Sequence, residues 1–352
     1  MNGKKRNNKE RLRILVLFEI LEQPAPDEEY ERRMREEADW RTEGHVCAAL
    51  KARGHEVHLG AIYKNARDVI DLVERIQPDL VWNFVQTFHG TRYFESHVAG
   101  MLELCRVPYT GCGHRALMLC QDKALSKEIL KHHRVAVPPF VVSRLSQPQK
   151  RLSKSIFPVM VKPLAEEGSV GISRDSFAET EEQALSRASF LHERLKQDVI
   201  VEHFVSGREI YVGVIGNQNI QTYAPWELVM EKLPEGAENI ATLKVKWDPN
   251  YQEKVGVATR AADLTPEQVK TLERLSKRIY RYLFLSGYAR LDYRMTEEGQ
   301  FYLLEANPNP QIAHREDFAD SAEYSGVPYD QLLQKIITVG MNYASARNGN
   351  AG

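Results

Sequence analysis

Four cysteines, Cys47, Cys105, Cys112 and Cys120, are too few and too scattered for a disulfide scaffold, and none forms the Cys-x-x-Cys pair of a zinc or redox site. Reduced, mostly buried thiols are the expectation. A surplus of charge of either sign is also missing. The formal net charge of -1 argues against a general binder of nucleic acid or anionic membrane, for which a basic excess is needed. No apolar run is long enough to span a bilayer, and the amino terminus has no hydrophobic signal core, so a cytoplasmic location is expected. Internal repeats are absent, and low complexity is confined to the termini. A small-molecule partner is what these absences leave.

With 352 residues the chain exceeds one typical domain and calls for two or three packed subdomains. Arg13 to Phe18 is an apolar run suited to a buried strand. Apolar residues then recur at helical spacing from Thr42 to Arg53, end at Gly54, and lead into a strand at His55 to Leu59. A helix from Asp68 to Ile76 and a strand from Asp79 to Phe84 follow, and this alternation implies a doubly wound parallel α/β layer. Glu22 to Asp39 reads as an inserted loop or surface helix. A helix from about Ser96 to Cys105 precedes another capped by Asp122 and running towards His132. Beyond Val135 to Val142 a new unit begins, with strands at Phe157 to Pro163 and Val199 to Phe204, a helix near Thr180 to Gln197 between them, and Glu209 to Ile215 continuing the sheet. Tyr223 to Val255 lacks steady periodicity and is expected to be a mobile lid loop. Leu264-Thr-Pro-Glu267 caps an amphipathic helix reaching about Phe284.

The most informative segment comes next. Arg290 to Met295 and Tyr302 to Asn307 read as a hairpin turning at Glu298-Gly299. That turn sets Asp292 opposite Glu305 and Arg290 opposite Asn307, with Leu291, Tyr293 and Met295 paired to Ala306, Leu304 and Tyr302. One face is then apolar, and the other carries Arg290, Asp292, Glu305 and Asn307. Two carboxylates directly across a strand pair repel unless positive charge sits between them. An oxygen-preferring divalent cation answers that need, because Mg²⁺ is commonly held by one or two carboxylates plus substrate phosphates. A solvated hairpin face is the alternative.

Lys162 closes an apolar strand, where a lone ammonium is costly unless an anion meets it. The Gly-rich turn Glu166 to Gly171 follows, and its backbone N–H groups suit phosphate oxygens. Lys123, at the start of its helix, is a second candidate cation, the alternative being an exposed helix lysine. Glu202 and Glu209 lie at the ends of β-type runs, where a carboxylate can accept the amino or hydroxyl hydrogens of a nucleoside.

Asp122-Lys123, Phe157 to Pro163, Gly168-Ser-Val-Gly171, Val201-Glu202, Gly207-Arg-Glu209, Arg290-Leu-Asp292 and Leu304-Glu-Ala-Asn307 resemble, in order and spacing, the motifs of the ATP-grasp ligases. Within them the likeness is to the D-alanine:D-alanine ligases. It extends through His89-Gly90, Met101 to Leu104 and Pro108 to Gly111, and covers the chain from Arg13 to Met341. The resemblance implies an ATP-grasp fold of three subdomains: a Rossmann-like unit over 12–118, a central unit over 119–215 and a C-terminal unit with the metal site over 216–342, with disordered tails at 1–11 and 343–352. It implies an ATP-dependent carboxylate-amine ligase working through an acyl phosphate. Lys123 and Lys162 would hold ATP phosphates, Glu202 the adenine side and Glu209 the ribose, with Phe204 near the base. Asp292, Glu305 and Asn307 would bind Mg²⁺, with Mn²⁺ as the alternative ion. Gly168, Ser169, Val170 and Gly171 would close over the γ-phosphate, Arg290 would steady the tetrahedral intermediate, and Lys246, or Lys244 if the alignment slips, would reach the transferring phosphate. A homodimer is a candidate oligomeric state.

Departures from the family fall outside the ATP and metal motifs. Phe18 to Pro24 stands where the family has Gly-Gly and Ser-x-Glu, Arg92 to Ser96 replaces Gly-Gly-Glu-Asp-Gly, and Asn307-Pro-Asn-Pro-Gln311 replaces Asn-Thr-x-Pro-Gly. Glu316-Asp317 lies near the Ser-Leu pair that receives the second D-alanine's carboxylate, and an acidic pair repels such an acceptor. The expected function is therefore amide or peptide bond formation between substrates other than two D-alanines. Cell-wall D-alanine:D-alanine ligation is the alternative, and a non-catalytic nucleotide-binding regulator is a third reading.

Overall fold

The computed structural model describes residues 11–166, 170–233, 240–242, 244–245 and 248–349. They form two compact units. One takes the chain as far as His114, with Gln311–Glu316 and the part from Pro328 onward; the other comprises Arg115–Pro310 and Asp317–Val327.

In the first unit, β1 (Arg13–Glu19) lies between β2 (Glu56–Ile62) and β3 (Leu80–Asn83) in a parallel sheet. Ile14 to Leu17 are fully buried, as a central parallel strand covered on both faces requires. The helix Arg41–Ala52 ends at Gly54, whose φ of +86° provides the left-handed stop expected from the sequence. Residues 22–39 resolve into the surface-helix alternative, Asp27–Glu36. The last helix, Tyr329–Gly349, packs with this unit, its Gly340 against the Tyr109 backbone. By contacts, then, the described chain divides in two where the sequence suggests three subdomains. The segment around His133 to Ala136 is tied to the later part of this second unit by hydrogen bonds from Leu303 N–H to the Ala136 carbonyl and from Arg278 to the His133 carbonyl.

The second unit holds two antiparallel sheets. The smaller orders β4 (Phe140–Ser143), β7 (Val199–His203), β5 (Val159–Pro163) and β6 (Phe177–Ala178). The helix Glu181–Leu195 covers it, opened by a capping box in which Thr180 and Gln183 satisfy each other's backbone N–H groups. The larger sheet runs β11 (Val257–Ala261), β10 (Trp226–Met230), β8 (Arg208–Ile215), β12 (Tyr288–Met295), β13 (Phe301–Pro308), with β9 (Gln221–Thr222) beside β8. Two expectations are corrected. Glu209 to Ile215 does not continue the preceding sheet, because Gly207, at φ +136°, redirects the chain and β8 pairs with β10 and β12 instead. Tyr223 to Val255 is not a single lid loop, since Trp226–Met230 is a paired strand with Trp226 and Leu228 buried, and Pro249–Val255 is a helix capped by Asp248.

The hairpin β12–β13 shows how register is set. Its loop has three residues, closed by Thr296 N–H to the Gln300 carbonyl at 3.0 Å, with Gly299 at φ +79°. This is the three-residue turn whose last position favours glycine, not the expected two-residue turn at 298–299. Tyr293 therefore pairs with Leu303 and Met295 with Phe301, not with Leu304 and Tyr302. A β-bulge between Asp292 and Tyr293 then absorbs one extra residue on β13 and restores the expected pairs Asp292↔Glu305, Leu291↔Ala306 and Arg290↔Asn307. Helix Pro266–Tyr282, which leads towards this hairpin, is capped by Thr265 and Gln268. Thr265→Ala is expected to cost about 1 kcal/mol of stability in urea unfolding. A loss below about 0.3 kcal/mol would show the cap to be redundant.

Candidate active site

Asp122 caps the helix Lys123–His132 through the N–H groups of Ala124 and Leu125, at 3.0 and 2.9 Å. The cap sets two lysines one turn apart on one helix face. Lys123 is 5% exposed, which excludes the surface-lysine alternative, and its ammonium donates to the Glu166 carbonyl at the start of the Gly-rich turn. Lys127 is deeper still. It donates to the carbonyl of Leu304, in the stretch where β13 bulges, and lies 3.1 Å from Glu202 Oε1. Lys162, on β5, meets the other oxygen of Glu202 at 2.9 Å.

One buried carboxylate thus serves two ammonium groups. Burial alone would raise the Glu202 pKa, but Lys127 and Lys162 outweigh it and hold the carboxyl at about 2. Lys162 is pushed down by burial and more than recovered by Glu202, so that it stays above the ordinary lysine value. Lys127, with 2% of its side chain exposed against 14% for Lys162, is dominated by burial and falls below that value.

The charged face of the larger sheet completes the arrangement. Arg290 donates to both oxygens of Asp292, at 2.8 and 2.9 Å, and lies 3.8 Å from Asp317. Arg294 donates to Glu209 at 3.0 Å, and Tyr211 donates to the other oxygen of Glu209 at 2.8 Å. Burial would lower Arg290, but Asp292 above all keeps its guanidinium charged. Phe204 is buried edge-on against Phe177.

A cavity of about 620 Å³, counting its open mouth, gathers some of these groups but not Lys123, Lys127, Arg290 or Tyr211. Lys162, Glu202, Phe204, Glu209, Asp292 and Glu305 all line it, as does Arg294, while Met160, Ile172, Val205, Ile240 and Leu304 give it apolar walls. A lining that combines charged side chains with apolar ones suits a ligand that is itself part apolar and part polar. Asn307 faces Arg290 in register, and its buried side-chain N–H₂ has no acceptor among the described residues. Asp292, Glu305 and Asn307 could offer oxygen ligands to Mg²⁺ if phosphates supplied the remaining ones. Among the described residues no three His, Cys, Asp or Glu side chains cluster as a self-sufficient metal site. Val170 is exposed, and Gly171, at φ +72°, has no room for a Cβ beside Pro163. Gly168, Ser169 and Lys246 lie outside the described residues, whereas Lys244 is described and exposed.

Residues 129–338, more than half of the chain, match the family model described as D-ala D-ala ligase C-terminus. The chain belongs to the D-Ala-D-Ala ligase family. It is, by type, an ATP-dependent carbon–nitrogen ligase. A relative from Syntrophotalea carbinolica, named D-alanine–D-alanine ligase, is 29% identical, with 86% of this chain and 90% of the relative covered. The protein y4sG of Sinorhizobium fredii is 28% identical, covering 84% of this chain and 85% of its own. The fold is ATP-grasp: the crystal structure of D-alanine–D-alanine ligase from Bacillus anthracis complexed with ATP superposes with a TM-score of 0.71 at 19% identity, over 96% of this chain and 99% of that one.

Three site residues escaped the reading of the sequence although their spacing marks them. Lys127 is four residues after Lys123 on one helix, Arg294 two after Asp292 on one strand, and Tyr211 two after Glu209. The acidic pair Glu316-Asp317 also needs correction. Glu316 is ion-paired with Arg41 within the first unit, so Asp317 is the one of the two that faces Arg290.

The low Glu202 pKa makes a stability prediction with a definite sign. A carboxyl depressed from 4.5 to about 2 stabilises the folded state above its unfolded pKa, and this contribution disappears as pH falls through the folded one. The stability difference between wild type and Glu202→Gln should be constant from neutrality down to about pH 5 and shrink steadily towards pH 2. A difference that persists unchanged at pH 2 would contradict the arrangement.

Proposed function

We propose that this protein joins a carboxylic acid to an amine through an acyl phosphate, with an amine substrate other than D-alanine. The substrate carboxylate oxygen attacks the γ-phosphorus of ATP, the bond to the β,γ-bridging oxygen breaks, and ADP leaves. The amine nitrogen then attacks the acyl carbon, the C–O bond to phosphate breaks, and an amide and inorganic phosphate result. Lys123 and Lys162 hold the phosphates, Glu202 and Phe204 flank the base, and Glu209 takes the ribose. Asp292, Glu305 and Asn307 would hold Mg²⁺, or Mn²⁺, which when bound neutralises phosphate charge. Arg290 lowers the energy of the tetrahedral oxyanion. The family resemblance would assign Gly168, Ser169 and Lys246, which lie outside the described residues, to the γ-phosphate.

The observation that carries the reading is the single cavity in which Lys162, Glu202, Glu209, Asp292 and Glu305 converge. The choice of amine is supported by Asp317, whose carboxylate lies 3.8 Å from Arg290. A negative group there opposes an acceptor with a free α-carboxylate and favours one that is uncharged or carries a second amine. D-alanine:D-alanine ligation is the second reading. It is supported by the names of the relatives and by Arg41, which neutralises Glu316. A regulator without turnover fits poorly with the presence of Arg290, Asp292, Glu305 and Asn307 together.

Phosphate release with D-alanine as sole amino acid, with mass detection of dipeptide, separates the two. Little turnover is expected with D-alanine and more with amines or amidated amino acids. Efficient dipeptide formation, at about 10⁴ M⁻¹s⁻¹ or above, would establish the second reading. Glu305→Gln should also raise the Mg²⁺ concentration needed for half-maximal turnover at least about ten-fold while the protein stays folded. An unchanged Mg²⁺ dependence would remove Glu305 from the metal site.

A further inference from the structure

One buried side chain on the charged sheet face touches both ends of the row and has no part in the scheme above. Tyr211 lies on β8 in register with Asp292 on one side and Trp226 on the other. The Arg290 guanidinium sits over its ring, 4.5 Å from the ring centre. Its hydroxyl donates to Glu209 Oε1, while Glu209 Oε2 accepts from Arg294, which also donates to the Gly207 carbonyl at 3.1 Å. Burial, followed by the carboxylates of Glu209 and Asp292, holds the phenol far above its ordinary pKa, so it is always a donor to Glu209.

Asp292 is wanted twice. Arg290 engages both of its oxygens, and a divalent ion would need at least one of them. A buried guanidinium that yields part of its carboxylate must be held by something else. An aromatic face does this without competing for the metal, because its attraction comes from the ring quadrupole.

We infer that Tyr211 is a positioning residue for the ligase reaction: its ring fixes the guanidinium of Arg290 and its hydroxyl orients Glu209 at the nucleotide end. The inference rests on the function proposed above. A purely structural tyrosine, packed with Trp226, Leu228 and Val245, would behave differently. In that case Tyr211→Phe, which keeps the packed ring, would change neither nucleotide affinity nor kcat.

Two variants separate the halves of the side chain. Tyr211→Phe keeps the ring and loses the hydroxyl, and Tyr211→Leu loses both. Affinity is measured calorimetrically with AMP-PNP and Mg²⁺, and turnover by phosphate release with D-alanine or, where that is slow, with the fastest acid and amine found by screening. Tyr211→Phe should weaken AMP-PNP binding about five-fold with kcat within about two-fold of wild type. Tyr211→Leu should show the same weakening and lose about ten-fold or more in kcat. Unchanged AMP-PNP affinity in Tyr211→Phe, or unchanged kcat in Tyr211→Leu, would overturn the inference. Where Tyr211→Leu does not fold, Tyr211→Phe alone decides, by whether affinity falls while kcat holds. Wild type that fails to bind AMP-PNP would sink the proposed nucleotide site itself, a result distinct from either variant outcome.

Discussion

Asp292 and Glu305 occupy one register position of an antiparallel pair, and the positive charge required to keep two carboxylates so close governs what surrounds them. Arg290 takes both oxygens of Asp292, while Lys127 and Lys162 act electrostatically on Glu305 as well as on Glu202. None of these cations is supplied by the hairpin alone except Arg290. Lys127 comes from a helix fixed by the Asp122 cap, and Lys162 from the smaller sheet. The requirement to neutralise one strand pair therefore ties two sheets and a helix into one electrostatic unit. Buried ion pairs of this kind contribute little net stability, and removing one partner is strongly destabilising. Their value lies in fixing geometry at the wall of a cavity.

The same constraint explains why the β-bulge matters. A hairpin with this three-residue loop and no bulge would move Glu305 out of register with Asp292 and place the two side chains on opposite faces. The bulge corrects the slip, and the Leu304 carbonyl in that stretch becomes an acceptor for Lys127. Local backbone irregularity and charge placement are thus one device at this site.

Much of this was legible in the chain. The strand at Arg13–Glu19, the caps at Asp122 and Thr265 and the Asp292↔Glu305 pairing follow from periodicity, capping chemistry and alternation. That pairing holds because two offsets cancel, a loop one residue longer than a two-residue turn and a bulge that alternation cannot reveal. Strand Trp226–Met230 was missed because its short run sits among turn residues and its Glu227 is held by Arg208, a contact set by tertiary structure. Arg41 pairing with Glu316 was invisible for the same reason, since nothing local links positions so far apart in the chain. Adjacent acidic residues suggested joint action, and only the fold separates Glu316 from Asp317.

On the proposed function, Asp292, Glu305 and Asn307 would hold a divalent cation together with nucleotide phosphate. Mn²⁺ retention, followed by electron paramagnetic resonance with and without AMP-PNP, tests it most directly. Wild type should retain Mn²⁺ strongly only with AMP-PNP present, and Asp292→Asn should lose that retention while remaining folded. Equal retention by Asp292→Asn, or Mn²⁺ binding indifferent to the nucleotide, would contradict the account.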